Sequence, residues 1–264
     1  MTSTTAAKRS PLRRLVRGAV VAAFWIALWW GVAAAVRQEL LVPTPAVVAV
    51  TLVHLARTAT FWRAAGASLL RIAAGFVGGV LVGCVLAGLT ARFKAARALL
   101  SPLLKIVRAT PVASFIILAF VWLRTDILPA FIAFLMVVPV VWGNVDEGLR
   151  EVDTRLLEMA QVFRLGRGRT LFAVRIPAVM PYFLSACTTA LGLAWKSGIA
   201  AEVISRPAQS IGRLLQTAKN HLETPEMFAY TAAVILLSVL LERLFWLLAR
   251  RLGRRFNAAG GGAP

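Results

Sequence analysis

The segment from Asp146 to Pro177 reads DEGLREVDTRLLEMAQVFRLGRGRTLFAVRIP and separates two long apolar runs. Acidic residues come early in this segment and arginines come late, whereas the flanking runs 127–145 and 176–195 contain no charge. A membrane-spanning helix needs about 20 mostly apolar residues. We therefore interpret the segment as a polar loop between two spans. A polar loop of this length indicates that another surface docks there.

The loop has the pattern of a helix, a turn and a second helix. Asp153-Thr154 can cap the first helix, and Gly166 and Gly168 allow a turn. A second helix can run from Thr170 towards Ile176, and Pro177 suits the start of the next span. Four apolar residues of the first helix share one face at i, i+3, i+4 and i+7 spacing: Leu156, Met159, Ala160 and Phe163. Such a face needs a partner, and both a protein surface and the lipid interface fit its basic, amphipathic character.

The composition indicates a polytopic membrane protein. Hydrophobic residues make up 59% of the chain and charged residues 16%, with a mean hydropathy of +0.76. Soluble domains contain about 25% charged residues. The net charge of +19 is also compatible with nucleic-acid binding. However, the basic residues form short clusters between apolar runs, which favours a role in membrane topology, so no nucleic-acid partner is expected.

The fold class expected is all-α, with six transmembrane helices in one domain, residues 18–249. Residues 1–17 form a basic N-terminus and residues 250–264 a polar tail, and no linker or fixed-period repeat divides the chain. The third and sixth runs carry charge near one end, and the third reaches span length only if it starts near Ser101. The six predicted spans are 18–36, 72–91, 109–123, 127–145, 176–195 and 227–249.

The distribution of Lys and Arg predicts that both termini are cytoplasmic. With the N-terminus inside, 18 Lys and Arg residues fall on the inner side and seven on the outer side. This bias is the positive-inside rule, and it places the 146–177 loop inside as well. The first run resembles a signal peptide in its basic flank and in Ala33-Ala34-Ala35. Its length and its residues Trp25, Trp29 and Trp30 favour an uncleaved, anchored span.

The sequence offers no catalytic or metal site. His54 and His221 are isolated, and Cys84 and Cys187 lie inside apolar runs without partners at ligand spacing. Lys196-Ser197 follows Trp195, whereas a phosphate-binding loop has Gly before the Lys and lies between a strand and a helix. No catalytic residues, metal or bound cofactor are therefore expected, and any ATP would be bound by another chain.

Several fragments in order resemble the permeases of ABC importers, in particular the nitrate/sulfonate/taurine group. Leu157-Glu158-Met159-Ala160 followed by Ile176-Pro177 resembles the cytoplasmic "EAA loop" of these permeases. Outside the loop the similarity extends over about residues 40–250. The other matching fragments are Leu41–Pro45, Ser68–Ile72 with Ala74–Phe76, Arg108–Pro111, Val152-Asp153, Gly192–Trp195 and Ala201-Glu202.

The resemblance implies a permease that works with a separate ATP-binding cassette ATPase and an extracytoplasmic substrate-binding protein. It implies a homodimer in the bacterial inner membrane that conducts a small polar or anionic solute, but it does not choose among nitrate, sulfonates, taurine, bicarbonate and aromatic compounds. One position departs from the family pattern, since Arg164 stands where Gly is usual, and Gly166 is expected to form the turn instead. The resemblance assigns ATPase coupling to Leu157, Glu158, Met159, Ala160, Arg164, Gly166, Ile176 and Pro177.

Lys196 and Glu202 are charged residues at the end of the fifth predicted span. Charge in a membrane usually faces a bundle interior or a water-filled cavity. The two residues could therefore line a translocation pathway, with Lys196 favouring an anion. Alternatively, they extend to the outer interface, or Glu202 pairs with Arg206 at i+4. If they form a buried charged site, a membrane-embedded enzyme or sensor is the competing function, and an ion-driven secondary transporter is a third.

Overall fold

A computed structural model describes residues 11–260, and within this range the chain is helical with no strand. Side-chain environments are described for residues 16–166 and 168–251. A short π-helical turn, Leu171–Arg175, joins two of the helices. The α-helices are α1 (Pro11–Val36), α2 (Pro45–Ala56), α3 (Ala59–Arg92), α4 (Lys94–Ala109), α5 (Val112–Phe120), α6 (Leu128–Arg150), α7 (Thr154–Val162), α8 (Arg167–Thr170), α9 (Ile176–Ser205), α10 (Ile211–Asn220) and α11 (Thr224–Gly260).

The described part of the chain confirms an all-helical, multi-span protein. Five helical segments are long and apolar enough to cross a membrane, and they contain five of the six predicted spans. Two of them are much longer than the apolar run, since α3 has 34 residues and the helix from Gly168 to Ser205 has 38. The reason is that the helix continues beyond the apolar run, at the N-terminal end in α3 and at both ends in the segment from Gly168 to Ser205.

The third predicted span is not one straight helix. The chain bends by 101° between α4 and α5, so the pair is either a broken span or a re-entrant segment. Pro111 explains the break, because a residue before proline avoids the helical region, and Thr110 is extended with ψ 136. Five of the six predicted spans are therefore continuous helices, and the third corresponds to this bent pair.

Helices α3, α6 and α9 form the centre of the bundle. Small residues on α3 recur every fourth position and let α6 approach closely, as in membrane helix pairs rich in glycine. A Cβ added at Gly79 would lie 2.6 Å from the Cβ of Val137, and one at Gly83 would lie 2.9 Å from the Cβ of Val141. The backbone of α3 therefore packs against side chains of α6 at these glycines. Sequence analysis did not single out this glycine stripe.

The two ends of the bundle carry different short helices. Helix α7 lies at one end, here called the α7 end, and α10 lies at the opposite end, here called the α10 end. Short helix α2 begins after Thr44, whose hydroxyl accepts from the N–H of Val47, and α10 begins after Ser210, whose hydroxyl accepts from the N–H of Arg213. Neither α2 nor α10 was predicted, because α2 is apolar but has only 12 residues, too few for a span, and α10 is a short polar helix of 10 residues.

Candidate functional site

Helix α7 begins where the sequence predicted. The Asp153 carboxylate accepts a hydrogen bond of 2.8 Å from the backbone N–H of Arg155, which is the expected N-cap. Leu157 packs against the central core and Ala160 is buried, so these two residues seat the helix on the bundle. Glu158 is exposed. Of the four residues of the predicted apolar face, only Ala160 is buried against the bundle.

The rest of that face is exposed at the α7 end. Leu156 is 41%, Met159 is 49% and Phe163 is 71% accessible, and Val162 and Phe172 nearby are exposed as well. We call Leu156, Met159, Val162, Phe163 and Phe172 the α7 patch. Clustered exposed apolar residues mark a surface for a protein or membrane partner. Leu156, Met159 and Val162 lie on the same helix as Glu158, so α7 presents a charge and apolar surface together.

The turn after α7 forms at Arg164 and not at Gly166. Arg164 has φ 50, in the left-handed region, whereas no described glycine has positive φ. The N–H of Leu165 bonds the carbonyl of Ala160 at 2.9 Å, the six-residue closure of a helix C-terminus that favours glycine at the left-handed position. The expectation that Gly166 takes the turn is therefore wrong. An arginine adopts the conformation that the family's usual glycine would adopt at lower energy.

The second helix of the loop is continuous with the fifth span. Helix α8 passes through the π-helical turn Leu171–Arg175 directly into α9, so the expected separate helix is the first part of the span. The π-helical turn ends just before Pro177, whose ring lacks an N–H and clashes with the carbonyl four residues earlier. Ile176 and Pro177 thus form the first turn of α9, half-buried against the bundle.

A buried carboxylate anchors the start of the loop. One oxygen of Asp146, near the end of α6, accepts from Arg97 at 2.7 Å, and the other accepts from Arg150 at 2.8 Å and from Arg97 at 3.0 Å. Thr90 donates to the same carboxylate at 3.1 Å. We call Thr90, Arg97, Asp146 and Arg150 the Asp146 network. The network joins α3 and α4 to the C-terminal end of α6. It therefore holds the point at which the chain leaves α6 and enters the loop.

Glu202 lies in a second buried network at the α10 end. Its side chain has no exposed surface and accepts from the Ser68 hydroxyl at 2.7 Å, from Arg71 at 3.3 Å and from the N–H of Gly212 at 3.3 Å. Arg71 also donates to the carbonyl oxygen of Ala208 at 2.7 Å. We call Ser68, Arg71, Glu202 and Gly212 the Glu202 network. It fastens the N-terminus of α10 to α3 and α9.

This geometry bears on two expectations for the charged residues. The partner of Glu202 is Arg71, which lies well inside α3. Arg206 offers Glu202 only a backbone contact, since its N–H bonds the Glu202 carbonyl as the left-handed cap of α9. The predicted i+4 pair is therefore absent among the described contacts. Glu202 has no surface that could face a solute in this protomer.

Lys196 is separated from Glu202 although both lie on α9. Lys196 is exposed, while its neighbours Trp195 and Ser197 are buried. The structure therefore does not bring the two candidate pathway residues together. A single protomer presents Lys196 on its outer surface, where a lipid, a second protomer or a pathway could meet it.

Two arginines at the α10 end form a basic cavity that sequence analysis counted only as loop charge. Arg63 on α3 and Arg213 on α10 line a cavity of about 370 Å³ together with Thr60, Gln209 and Thr217. No acidic residue belongs to its lining. The two arginines are 150 positions apart in the sequence, so no local motif could have revealed the cavity.

These features define a class of protein. A multi-span helical bundle with an amphipathic helix projecting from a polar loop is the architecture of a transport permease. Residues 79–257 match the family described as the binding-protein-dependent transport system inner membrane component. This match covers more than half of the chain, and the chain belongs to that family. It is a multi-pass permease component of an ABC transport system.

Individual relatives agree with this assignment. The chain is 27% identical over 252 residues to the taurine transport system permease protein TauC of Escherichia coli K12, covering 92% of this chain and 91% of TauC. It is 28% identical over 191 residues to the bicarbonate transport system permease protein CmpB of Synechococcus elongatus, covering 71% and 68% of the two chains. A solved amino acid ABC transporter chain has the same fold at a TM-score of 0.56, with 18% identity, covering 71% of this chain and 90% of that one.

Proposed function

We propose that this permease forms the pathway for a small polar or anionic solute and is driven by a separate ATPase subunit docked on the α7 patch. The observation that carries the proposal is that α7 is seated by Leu157 and Ala160 while Leu156, Met159 and Phe163 stay exposed beside Glu158. An apolar patch with one charge at its side has the character of a protein interface core and rim. ATP binding and hydrolysis then belong to the partner chain.

Changing Glu158 to Lys is expected to weaken or abolish ATPase binding without removing the protein from the membrane. Glu158 is exposed on α7, so the substitution leaves the bundle intact but reverses a charge at the proposed interface. Native mass spectrometry of the co-purified transporter measures both association and stoichiometry. The wild-type complex is expected to contain two copies of this chain with two ATPase subunits, and the variant complex is expected to lose the ATPase.

The matched control is Glu39→Lys, which makes the same charge change on an exposed residue near the α10 end. The Leu40 carbonyl next to it accepts from Thr224, which places this loop beside the start of α11. The control complex is expected to keep its ATPase. A Glu158→Lys complex with wild-type composition and uptake would reject the docking surface, and a single copy of the permease would reject the homodimer.

The same proposal places both termini and the α7 end in the cytoplasm. The support is the excess of Lys and Arg on that side, which the positive-inside rule reads as cytoplasmic. Single cysteines at positions 57, 167 and 219, in a background without Cys84 and Cys187, test it with a membrane-impermeant thiol reagent. Positions 57 and 219 are expected to react in intact cells, and position 167 only after the membrane is opened. Labelling of position 167 from outside would reverse the topology.

The proposed solute class rests on positive charge near the α10 end. The cavity lined by Arg63 and Arg213 contains no acidic lining residue, and Lys196 is an exposed cation on α9. Its relatives include a taurine transport system permease and a bicarbonate transport system permease, and both of these small solutes carry a negatively charged group. A substrate-binding protein would deliver such a solute to this end. The Glu202 network would hold α10 in place as part of the entrance.

Lys196→Met is expected to reduce uptake of an anionic solute while leaving assembly and basal ATP hydrolysis unchanged. A partly desolvated ammonium attracts anions more strongly than one in bulk water because the effective dielectric constant is lower. Transport of taurine or bicarbonate into vesicles containing the complete transporter measures the effect. The control is Lys94→Met, which removes one exposed cation at the opposite end of the bundle and is expected to leave uptake unchanged. Unchanged transport in the Lys196 variant would make Lys196 an interfacial anchor only.

A further inference from the structure

Two adjoining cavities open at the α7 end, one apolar and one basic. The apolar cavity has a volume of about 330 Å³ and lies between α3, α6 and α9. The basic cavity has a volume of about 560 Å³ and lies beneath α7. Leu171 and Arg175 line both, so the cavities meet at the π-helical turn. Such turns are frequent at functional sites. The two cavities therefore adjoin, one apolar and the other carrying the charged residues.

The lining residues place the charges at the membrane boundary. Three lining residues of α3 are spaced four apart and so share one helix face: Cys84, Gly88 and Arg92. The antiparallel segment that leads into α9 contributes three residues with the same spacing: Arg175, Val179 and Phe183. Eight helical residues rise about 12 Å, and one leaflet of the hydrocarbon core is about 15 Å thick. The apolar part therefore extends about one leaflet deep below two arginines that stand where the apolar helices end.

The two arginines lack a protein counter-ion. Among the described residues, neither Arg92 nor Arg175 takes part in an ion pair, and no acidic residue lines either cavity. The Arg92 guanidinium lies over the ring of Phe93, 5.2 Å from its centroid. Gln161 and Thr170 add polar groups to the same mouth. The site is thus built for a negative charge with apolar material attached to it.

We propose that this double cavity binds an anionic phospholipid. The phosphate of the headgroup lies between Arg92 and Arg175, and one acyl chain occupies the apolar cavity beside Gly88 and Val179. Basic pockets between membrane helices at the headgroup level are suited to anionic lipids. Since Leu157 and Ala160 line the basic cavity, a bound lipid would contact the residues that seat α7. The proposal concerns the lipid surroundings of the permease and does not depend on its solute.

The test is lipid titration of the purified full-length chain, followed by native mass spectrometry. The probes are phosphatidylglycerol and phosphatidylcholine with identical acyl chains. Phosphatidylglycerol is expected to bind more tightly. Arg92→Gln and Arg175→Gln are each expected to weaken its binding about fivefold, and the double variant about thirtyfold. Arg155→Gln removes an exposed arginine of α7 that lines neither cavity, and binding is expected to stay unchanged.

A second variant tests the acyl-chain part separately. A Cβ at Gly88 has no atom within 4 Å and Gly88 lines the apolar cavity, so Gly88→Leu places an apolar side chain at the position that the acyl chain would occupy. It is expected to weaken phosphatidylglycerol binding while both arginines remain. Equal affinity for the two lipids, or unchanged binding by the double arginine variant, would overturn the proposal. Displacement of the lipid by inorganic phosphate at similar concentration would also overturn it, since the site would then serve soluble anions.

Discussion

Replacing Glu202 with alanine is expected to lower the free energy of unfolding by about 3–5 kcal/mol, the range for removing one partner of a buried ion pair. The carboxylate is fully buried and accepts from Ser68, Arg71 and the N–H of Gly212. Without the carboxylate, the Ser68 hydroxyl and the Gly212 N–H lose this acceptor, whereas Arg71 keeps its bond to the Ala208 carbonyl oxygen. The hydrogen bond that joins the N-terminus of α10 to Glu202 on α9 is also lost. Equilibrium unfolding in mixed detergent and dodecyl sulfate micelles measures the loss.

The control uses an exposed ion pair of the same chain. Arg124 and Asp126 approach to 3.7 Å with side chains 81% and 49% accessible. Asp126→Ala is expected to change stability by less than about 1 kcal/mol, because water screens this pair. A double-mutant cycle with Arg71→Ala and Glu202→Ala is expected to give a coupling of about 0.5–3 kcal/mol. Strict additivity would show that the two side chains do not stabilise each other.

The second large effect is expected at Gly79, where α3 packs tightly against α6. Gly79→Ala would place a Cβ 2.6 Å from the Cβ of Val137 and 3.0 Å from the carbonyl oxygen of Phe134. The helices must separate to admit it, and overpacking of this kind costs about 1–3 kcal/mol. The same unfolding measurement applies. Gly79→Leu is expected to reduce the folded yield further.

The neighbouring glycine provides a matched control. A Cβ at Gly78 would lie 3.6 Å from Phe134, an ordinary van der Waals contact. Gly78→Ala is therefore expected to be tolerated, although it makes the same chemical change one position away. Equal stability of the two alanine variants would mean that α3 and α6 are not held at the distance that the structure shows.

Much of the architecture could be predicted from the sequence because membrane insertion depends on local composition. Apolar runs bounded by charged residues mark most of the spans, and their length follows from the thickness of the bilayer. The N-cap at Asp153 was predictable for a similar reason, since a capping bond joins residues two positions apart. The family resemblance of Leu157–Ala160 and Ile176-Pro177 also lies in local motifs.

Local patterns gave the wrong turn residue because the backbone conformation depends on where α7 must end. Arg164 adopts the left-handed conformation so that Leu165 can bond to Ala160, although Gly166 is only two residues away. Likewise, Pro111 broke the third span where hydropathy alone predicted a continuous run. In both cases the conformation of a few backbone atoms decided the local structure, and the composition or hydropathy of the segment did not predict it.

What the sequence determined by itself was the class of protein, its helical spans and the amphipathic loop. Only the tertiary structure decided which charges meet. Arg71 and Glu202 are 131 positions apart, and Arg97 and Asp146 are 49 apart, so their pairing depends on how α3, α4, α6 and α9 pack. Burial then separates the candidate site residues, because the same packing leaves Glu158 and Lys196 exposed and encloses Glu202 completely.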